Sequence, residues 1–250
     1  MVSVPALVKE IPTPSGVARL HLLAAAEPRA VLLLGHGAGG GVNAPDLTSL
    51  TRAALAAGTT VGLVEQPYRV AGRRSAAPAA RLDEAFVAVA QAARAELEGQ
   101  AGSAAMRPAA VAGGAGGAGG AGGAAVRVAE AARQPVPLAV GGRSSGARVA
   151  CRTAATTGAA AVVALAFPLH PPGRPDRSRL AELADVAGAR IPCLVVQGER
   201  DAFGTAAELA AQVPPGVRVL PAPGGDHSLR RGLDAGAVVD WLVGAGSALD

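Results

Sequence analysis

The feature that most constrains this chain is a pentapeptide at residues 142–146, Gly-Arg-Ser-Ser-Gly, which has the pattern G-x-S-x-G. It follows an apolar run at 136–140 that predicts a strand, and it leads into small residues that predict the start of a helix. A serine at a sharp strand-to-helix turn projects its hydroxyl, and glycines flank it because side chains there would collide with neighbouring elements. Ser144 is therefore a candidate nucleophile. Alone, the pentapeptide is equally compatible with a glycine-rich turn that carries a serine by chance.

A serine nucleophile needs a histidine base, and two histidines follow Ser144 in the chain. His227 comes after a short apolar run at 217–220 and before the final amphipathic segment, which is where the base is expected in the order Ser, Asp, His. His170 lies in a proline-bounded loop, where we expect it to line a pocket or face solvent. The sequence favours His227 as the base.

The acid that orients the base is expected where the apolar strand at 191–197 breaks at Gly198. Asp201 follows three positions later and fits this role. Glu199 is a rival, although it comes directly after the glycine, where a solvated loop charge is equally compatible. Asp226 is a second rival, but a residue next to a histidine in sequence seldom points its carboxylate at that histidine's Nδ1.

A glycine-rich loop at 35–41 follows a buried strand predicted at 30–34. Such a loop lets the backbone approach a reacting carbonyl, and in the G-x-S-x-G architecture it supplies one oxyanion donor while the residue after the nucleophile supplies the other. These donors are the N–H groups of Ala38 and Ser145. The loop alone is also compatible with a phosphate-binding turn, but it lacks the G-K-[ST] ending and the G-x-G-x-x-G spacing. We expect His36 to close the loop by hydrogen bonds.

Six stretches of the sequence together carry a resemblance to a known family. They are 35–40 (GHGAGG), 65–69 (EQPYR), 141–148 (GGRSSGAR), 166–171 (AFPLHP), 197–201 (QGERD) and 225–227 (GDH). With them the chain resembles the α/β-hydrolase superfamily, and more narrowly its dienelactone-hydrolase-like branch, which includes the testis-expressed-protein-thirty-like hydrolases. The resemblance covers roughly residues 8–245 and implies a Ser-His-Asp triad with an oxyanion loop, but no particular substrate. Some relatives serve as scaffold subunits of larger assemblies, so a non-catalytic function stays open.

Alternating strand and helix patterns predict an α/β fold, with a mostly parallel eight-stranded sheet, helices on both faces and an antiparallel opening hairpin. We expect one domain over residues 1–250, and no large cap, because only about ten residues separate the sixth strand from the next helix. Helices are predicted at 45–57, 79–97, 176–187, 205–212 and 229–243. The Gly-Gly-Ala repeats at 112–125 predict a flexible insertion that is dispensable for activity.

The short loops above the strand ends predict an open or shallow pocket that accepts small or extended acyl substrates. Four side chains are expected to frame it beside the Ala38 loop: Tyr68, Phe167, Leu169 and His170. Arg143, next to the nucleophile, is a bulky residue for a tight turn. We expect it to form a salt bridge rather than to recognise an anionic substrate group.

Composition excludes several other function classes. The net charge is +4, but nucleic-acid binding is not indicated, because only 2% of residues are aromatic and no nucleic-acid-binding motif accompanies the charge. We interpret the arginine pairs at 73–74 and 230–231 as solvated faces or substrate-entry charges. We expect no membrane partner and a cytoplasmic location, because the start of the chain lacks a signal-peptide pattern and no segment is long and apolar enough to span a membrane. Cys151 and Cys193 are expected in the core, and the histidines and cysteines form no metal-ligand spacing. The richness in Ala, Gly and Arg is typical of a GC-rich bacterial genome.

The sequence therefore predicts a serine hydrolase that cleaves a small ester or thioester through Ser144, His227 and Asp201, without a cofactor. The expected partner is a small acyl substrate, and the oligomeric state stays open. A catalytically silent scaffold and an acyltransferase that uses an acceptor other than water are the alternatives.

Overall fold

Eight strands form one sheet in the computed structural model, which describes residues 6–105 and 136–247. The spatial order is β1-β2-β4-β3-β5-β6-β7-β8. The opening β1–β2 hairpin and the β2–β4 pair are antiparallel, whereas all other pairs are parallel. The strands are β1 (Leu7–Thr13), β2 (Gly16–Leu23), β3 (Ala30–Gly35), β4 (Thr59–Glu65), β5 (Leu138–Arg143), β6 (Ala161–Leu165), β7 (Cys193–Gly198) and β8 (Val217–Ala222).

The described part of the chain contains seven helices. They are α1 (Pro45–Ala56), α2 (Pro67–Val70), α3 (Ala79–Ala105), α4 (Ser145–Thr153), α5 (Leu180–Gly188), α6 (Ala206–Ala210) and α7 (Ala235–Ser247). The predicted fold class is confirmed, and within the described residues no cap domain is inserted between β6 and α5. The Gly-Gly-Ala segment at 112–125 lies outside the described residues. No described helix has the length and apolarity to cross a bilayer.

Two helices begin later than the sequence predicts. We expected a helix from 176, but proline-rich turns occupy the chain up to Arg179 and α5 begins at Leu180. We expected another from 229, but Leu229 and Gly232 have φ angles of 47° and 77°, which a right-handed helix cannot contain. Both predictions therefore extended the helix into the turn that precedes it.

The core lies in two layers, one on each face of the sheet. Because side chains alternate along a strand, Leu33 of β3 packs into one layer while Leu32 and Leu34 pack into the other. Helices α3, α4 and α5 cover the first layer, and α1 and α7 cover the second. Both cysteines are free and buried in the first layer, as predicted, where a hydrogen bond to Cys193 and burial hold the pKa of the Cys151 thiol well above its usual value.

A network of ion pairs joins the three helices on the first face. The Glu182 carboxylate of α5 accepts hydrogen bonds from Arg148 Nε at 2.9 Å and from Arg152 Nη1 at 3.0 Å, both on α4. Arg152 also pairs with Asp83 of α3, with Nη2 2.7 Å from Oδ1. Since the Glu182 side chain is only 13% exposed, these contacts are partly shielded from water.

Replacing Glu182 with Gln should lower the free energy of unfolding by about 1 to 2 kcal/mol, because it weakens charge-assisted hydrogen bonds to two arginines. Chemical denaturation measures the change. The matched control is Asp185→Asn, which removes the same charge from an exposed position on the same helix and should leave stability within about 0.5 kcal/mol. Equal losses in both variants would show that the network contributes nothing beyond general charge.

Candidate active site

Ser144 occupies the sharp turn between β5, which ends at Arg143, and α4, which begins at Ser145. Its φ of 51° and ψ of −114° lie in a region that residues other than glycine rarely adopt. The Ser144 N–H donates to the carbonyl of Leu165 at 2.9 Å, which holds this conformation against β6. The serine is half-buried, so its hydroxyl can meet a substrate from solvent.

The two glycines of the pentapeptide are required by close backbone contacts. A Cβ on Gly146 would lie 2.2 Å from the carbonyl oxygen of Gly35, and a Cβ on Gly142 would lie 2.4 Å from the same oxygen. The first turn of α4 therefore packs directly against the end of β3, with no side chain between them. This contact sets the distance between Ser144 and the glycine-rich loop that follows β3.

His227 and Asp201 form a continuous hydrogen-bonded chain with Ser144. The His227 Nε2 atom lies 2.9 Å from Ser144 Oγ, and its Nδ1 atom lies 2.8 Å from Asp201 Oδ2. Because the Asp201 carboxylate can only accept, Nδ1 carries the proton and Nε2 is left to accept from the serine hydroxyl. The structure thus brings together the three residues that the sequence singled out as nucleophile, base and acid.

The two rival acids bind elsewhere. Glu199 accepts a hydrogen bond from the Gly224 N–H at 2.8 Å, which ties the β7 loop to the loop that carries His227. Asp226 accepts from the hydroxyl and the N–H of Ser228 at 2.6 and 2.8 Å, and these bonds hold the pKa of Asp226 below its usual value. Neither carboxylate is hydrogen-bonded to His227.

Asp201 is buried and is held by three donors. Its Oδ2 accepts from Gln197 Nε2 at 3.0 Å in addition to His227, and its Oδ1 accepts from the Phe203 N–H at 2.8 Å. Gln197 also donates to the Gly204 carbonyl at 2.6 Å, so this buried amide closes the turn that presents the acid. The carboxylate is therefore fixed from β7 and from its own loop.

Phe203 is a site residue that sequence reasoning missed. Its ring lies against the His227 imidazole with the ring centroids 4.2 Å apart and the planes tilted by 30°. It covers one face of the imidazole and restricts rotation of that ring. Its position two residues after Asp201, as one of only three phenylalanines in the chain, was the available signal.

The glycine-rich loop approaches Ser144 as predicted. A Cβ on Gly37 would lie 3.6 Å from Ser144 Cβ. Ser145 is the first residue of α4, so its N–H has no partner within the helix, and no described group accepts from the N–H of Ala38. The Ala38 carbonyl accepts from Tyr68 Oη at 2.9 Å, which anchors the loop from behind.

His36 closes the base of this loop, as predicted. Its Nδ1 lies 2.8 Å from the Gly37 carbonyl, and its Nε2 accepts from the Gln66 N–H at 3.1 Å. These two bonds use the neutral imidazole fully, with Nδ1 as donor and Nε2 as acceptor. Burial lowers the pKa of His36, so the neutral form is the one that the fold favours.

Arg143 forms the predicted salt bridge, with its Nε 2.8 Å from Oδ2 of the buried Asp46 on α1. It makes a second contact that the sequence did not predict, because its Nη2 donates to the backbone carbonyl of His227 at 2.7 Å. A Cβ on Gly37 would lie 2.7 Å from Arg143 Nη1. One guanidinium thus contacts α1, the glycine-rich loop and the loop of the base.

The predicted pocket frame is wrong at two of its four residues. Phe167 and Leu169 are 0% and 1% exposed and pack into the first core layer, so they line no open pocket. The cause is that the loop after β6 turns inward, where the Leu169 carbonyl accepts from the Arg179 N–H at 2.7 Å. The His170 Nε2 lies 2.9 Å from Glu208, and Tyr68 alone of the four is hydrogen-bonded to the Ala38 loop.

Comparisons with known proteins agree with this architecture. Residues 123–242 match the model of the alpha/beta hydrolase domain family. The chain has the α/β-hydrolase fold. No curated protein matches the chain in sequence.

Solved structures with the same fold include serine hydrolases. An α/β serine hydrolase homologue from Coxiella burnetii superposes with a TM-score of 0.67 at 15% identity, over 97% of this chain and 98% of that one. An α/β serine hydrolase without a lid from Xanthomonas campestris gives 0.63 at 16% identity, over 97% and 95%. Dienelactone hydrolase from Anabaena variabilis gives 0.61 at 14% identity, over 97% of both chains. At these identities the likeness establishes the fold.

Stability should fall in mild acid because of His36. Its pKa is lower in the folded protein than its ordinary value of 6.5, so between the two values the unfolded chain binds more protons and unfolding becomes more favourable as the pH falls. His170, whose pKa is raised by its hydrogen bonds to Pro171 and Glu208, shifts stability in the opposite direction. We therefore expect wild type to lose more unfolding free energy than His36→Asn between about pH 7.5 and 5.5, measured by chemical denaturation. An equal loss in the two proteins would contradict this assignment.

Replacing Arg143 with Lys should destabilise the protein by about 2 kcal/mol. A single ammonium group cannot donate to Asp46 and to the His227 carbonyl at the same time, as the two nitrogens of the planar guanidinium do. Arg52→Lys, at an exposed position on α1, is the matched control and should be close to neutral. Thermal and chemical unfolding of the two variants test the difference. A loss in Arg143→Lys no larger than in the control would mean that the double contact adds no stability.

Proposed function

We propose that this protein is a serine hydrolase that cleaves a small carboxylic ester or thioester through an acyl-enzyme intermediate. The observation that carries the proposal is the chain of two hydrogen bonds, 2.9 Å from Ser144 to His227 and 2.8 Å from His227 to Asp201, built on a strained strand-to-helix turn. Backbone strain at a half-buried polar residue costs free energy and is found mainly at functional sites. A turn with only a structural role would not need a base and a buried acid aligned on the serine.

In the proposed first half-reaction, Ser144 Oγ attacks the acyl carbonyl while His227 Nε2 takes the hydroxyl proton. Negative charge moves to the carbonyl oxygen, and the N–H groups of Ala38 and Ser145 stabilise it. Asp201 stays ionised and stabilises the imidazolium. The bond to the leaving group then breaks, and the alcohol or thiol departs with the proton from His227.

In the second half-reaction a water molecule replaces the leaving group. His227 removes a proton from the water, the hydroxide attacks the acyl-enzyme carbonyl, and the same two N–H groups bind the second oxyanion. The acid is released when the bond to Ser144 Oγ breaks and His227 returns the proton to the serine. Each step moves one proton through the Nε2 atom, so the position of His227 governs both halves.

Three contacts favour a base that is held in place before substrate binds. Phe203 covers the imidazole, Asp201 accepts from Nδ1, and Arg143 binds the His227 backbone carbonyl. Such preorganisation lowers the cost of reaching the reactive geometry. A half-buried serine that no cap domain covers within the described residues suits acyl groups that reach it from an open surface.

Labelling with a fluorophosphonate probe tests the proposal directly, because the probe reacts only with an activated serine. Wild type should be labelled, while Ser144→Ala should not, and His227→Ala should react at least roughly 10³-fold more slowly. Hydrolysis of p-nitrophenyl acetate should follow the same order. The matched control is Ser49→Ala, an exposed serine on α1, which should behave as wild type.

A folded wild type that resists the probe, while a known serine hydrolase reacts beside it, would overturn the proposal in favour of a catalytically silent scaffold. Labelling that depends on Ser144, combined with acyl transfer to an added alcohol in place of water, would indicate an acyltransferase.

A further inference from the structure

A cleft lined by three arginines lies beside Tyr68. It consists of two cavities of about 360 and 510 Å³, which share the side chains of Tyr68, Arg73, Ala77 and Arg81. Arg74 lines the larger cavity. Neither cavity is lined by Ser144 or His227, so this arginine cleft is separate from the catalytic serine.

The arginine cleft carries positive charge that no carboxylate balances. No Asp or Glu is among the described residues that line it, and Arg73, Arg74 and Arg81 form no ion pair within the described part of the chain. By contrast, Arg143, Arg148 and Arg152 are each paired with an acid. Three unpaired guanidinium groups around one concave surface favour a ligand with two or more negative charges.

The start of α3 adds to this field. The helix runs from Ala79 to Ala105, and the wall of the arginine cleft contains Pro78, which precedes the helix, and Arg81 of its first turn. Its first turn contains no acidic residue. The partial positive charge of the helix N-terminus therefore acts on the cleft together with the arginines.

We propose that the arginine cleft binds a small phosphorylated molecule. The phosphate meets the three arginines beside the start of α3. Two origins share this chemistry: a separate effector, or the phosphate-bearing part of an acyl substrate. The second origin rests on the proposed hydrolase function, whereas binding itself does not.

Tyr68 connects the arginine cleft to the reaction site. Its ring lines both cavities, and its hydroxyl donates to the Ala38 carbonyl at 2.9 Å. Ala38 is the proposed oxyanion donor, and Gly37 beside it lies against Ser144. A ligand that shifts the Tyr68 ring therefore shifts the loop that stabilises the oxyanion.

Calorimetric titration with pyrophosphate, followed by glycerol 3-phosphate, tests the site without any need for activity. Wild type should bind one equivalent of each, and the double variant Arg73→Ala/Arg81→Ala should bind at least about tenfold more weakly, because charge-assisted hydrogen bonds are lost. Both arginines are exposed, so the variant should fold. Arg218→Ala, on the strand at the opposite edge of the sheet, removes one equal charge and should bind as wild type.

Absence of binding to wild type, or equal weakening in Arg218→Ala and the double variant, would overturn the proposal.

The kinetic arm separates the two origins. With neutral p-nitrophenyl acetate as substrate, pyrophosphate that acts as a separate effector should change kcat in wild type. It should leave kcat unchanged in Tyr68→Phe, which keeps the cavity wall but loses the hydrogen bond to Ala38. If the site instead holds the phosphate of the substrate, pyrophosphate should raise the KM for p-nitrophenyl acetate and leave kcat unchanged. If the protein binds pyrophosphate but hydrolyses no ester, the hydrolase proposal fails while the anion site stands.

Discussion

The architecture of the site depends on one contact between backbones, where the first turn of α4 meets the end of β3. A single methyl group on Gly146 would fall 2.2 Å from the Gly35 carbonyl oxygen, well inside van der Waals contact. Because helix and strand touch without side chains, the glycine-rich loop after β3 lies beside Ser144. The positions of β5, β3 and the serine are therefore consequences of one steric constraint.

Much of this arrangement could be predicted from the sequence, since local patterns carry it. Strand and helix alternation predicted the sheet, and the order Ser144, Asp201, His227 along the chain placed the three groups at ends of parallel strands. The three residues lie at the same edge of the sheet because parallel strands align their carboxyl ends. Their proximity could therefore be predicted although they are far apart in sequence. His36 was also predictable, because a buried histidine between two glycines has few functions other than bonding the loop that contains it.

Other features depend on packing between distant segments and could not be predicted in this way. Phe167 and Leu169 were expected at a pocket because they follow a strand end, but the direction of the loop after β6 depends on contacts with Arg179 and with the core. Phe203 and the bond from Arg143 to the His227 carbonyl involve side-chain directions that no periodicity encodes. The choice of Asp201 over Glu199 and Asp226 was likewise an inference from position, and only the structure shows which carboxylate points at the imidazole.

The Arg143 side chain places an unusual constraint on the length of the loop that carries His227. Surface loops normally tolerate insertions and deletions, because few contacts depend on their path. Here the backbone carbonyl of His227 accepts a hydrogen bond from Arg143, the residue directly before Ser144. The length of the Arg143 side chain therefore limits how far the His227 loop can lie from Ser144. Adding or removing one residue between β8 and His227 would separate that pair even if the rest of the sheet stayed intact. The loop therefore behaves as a part of the core in this respect, although it lies at the surface.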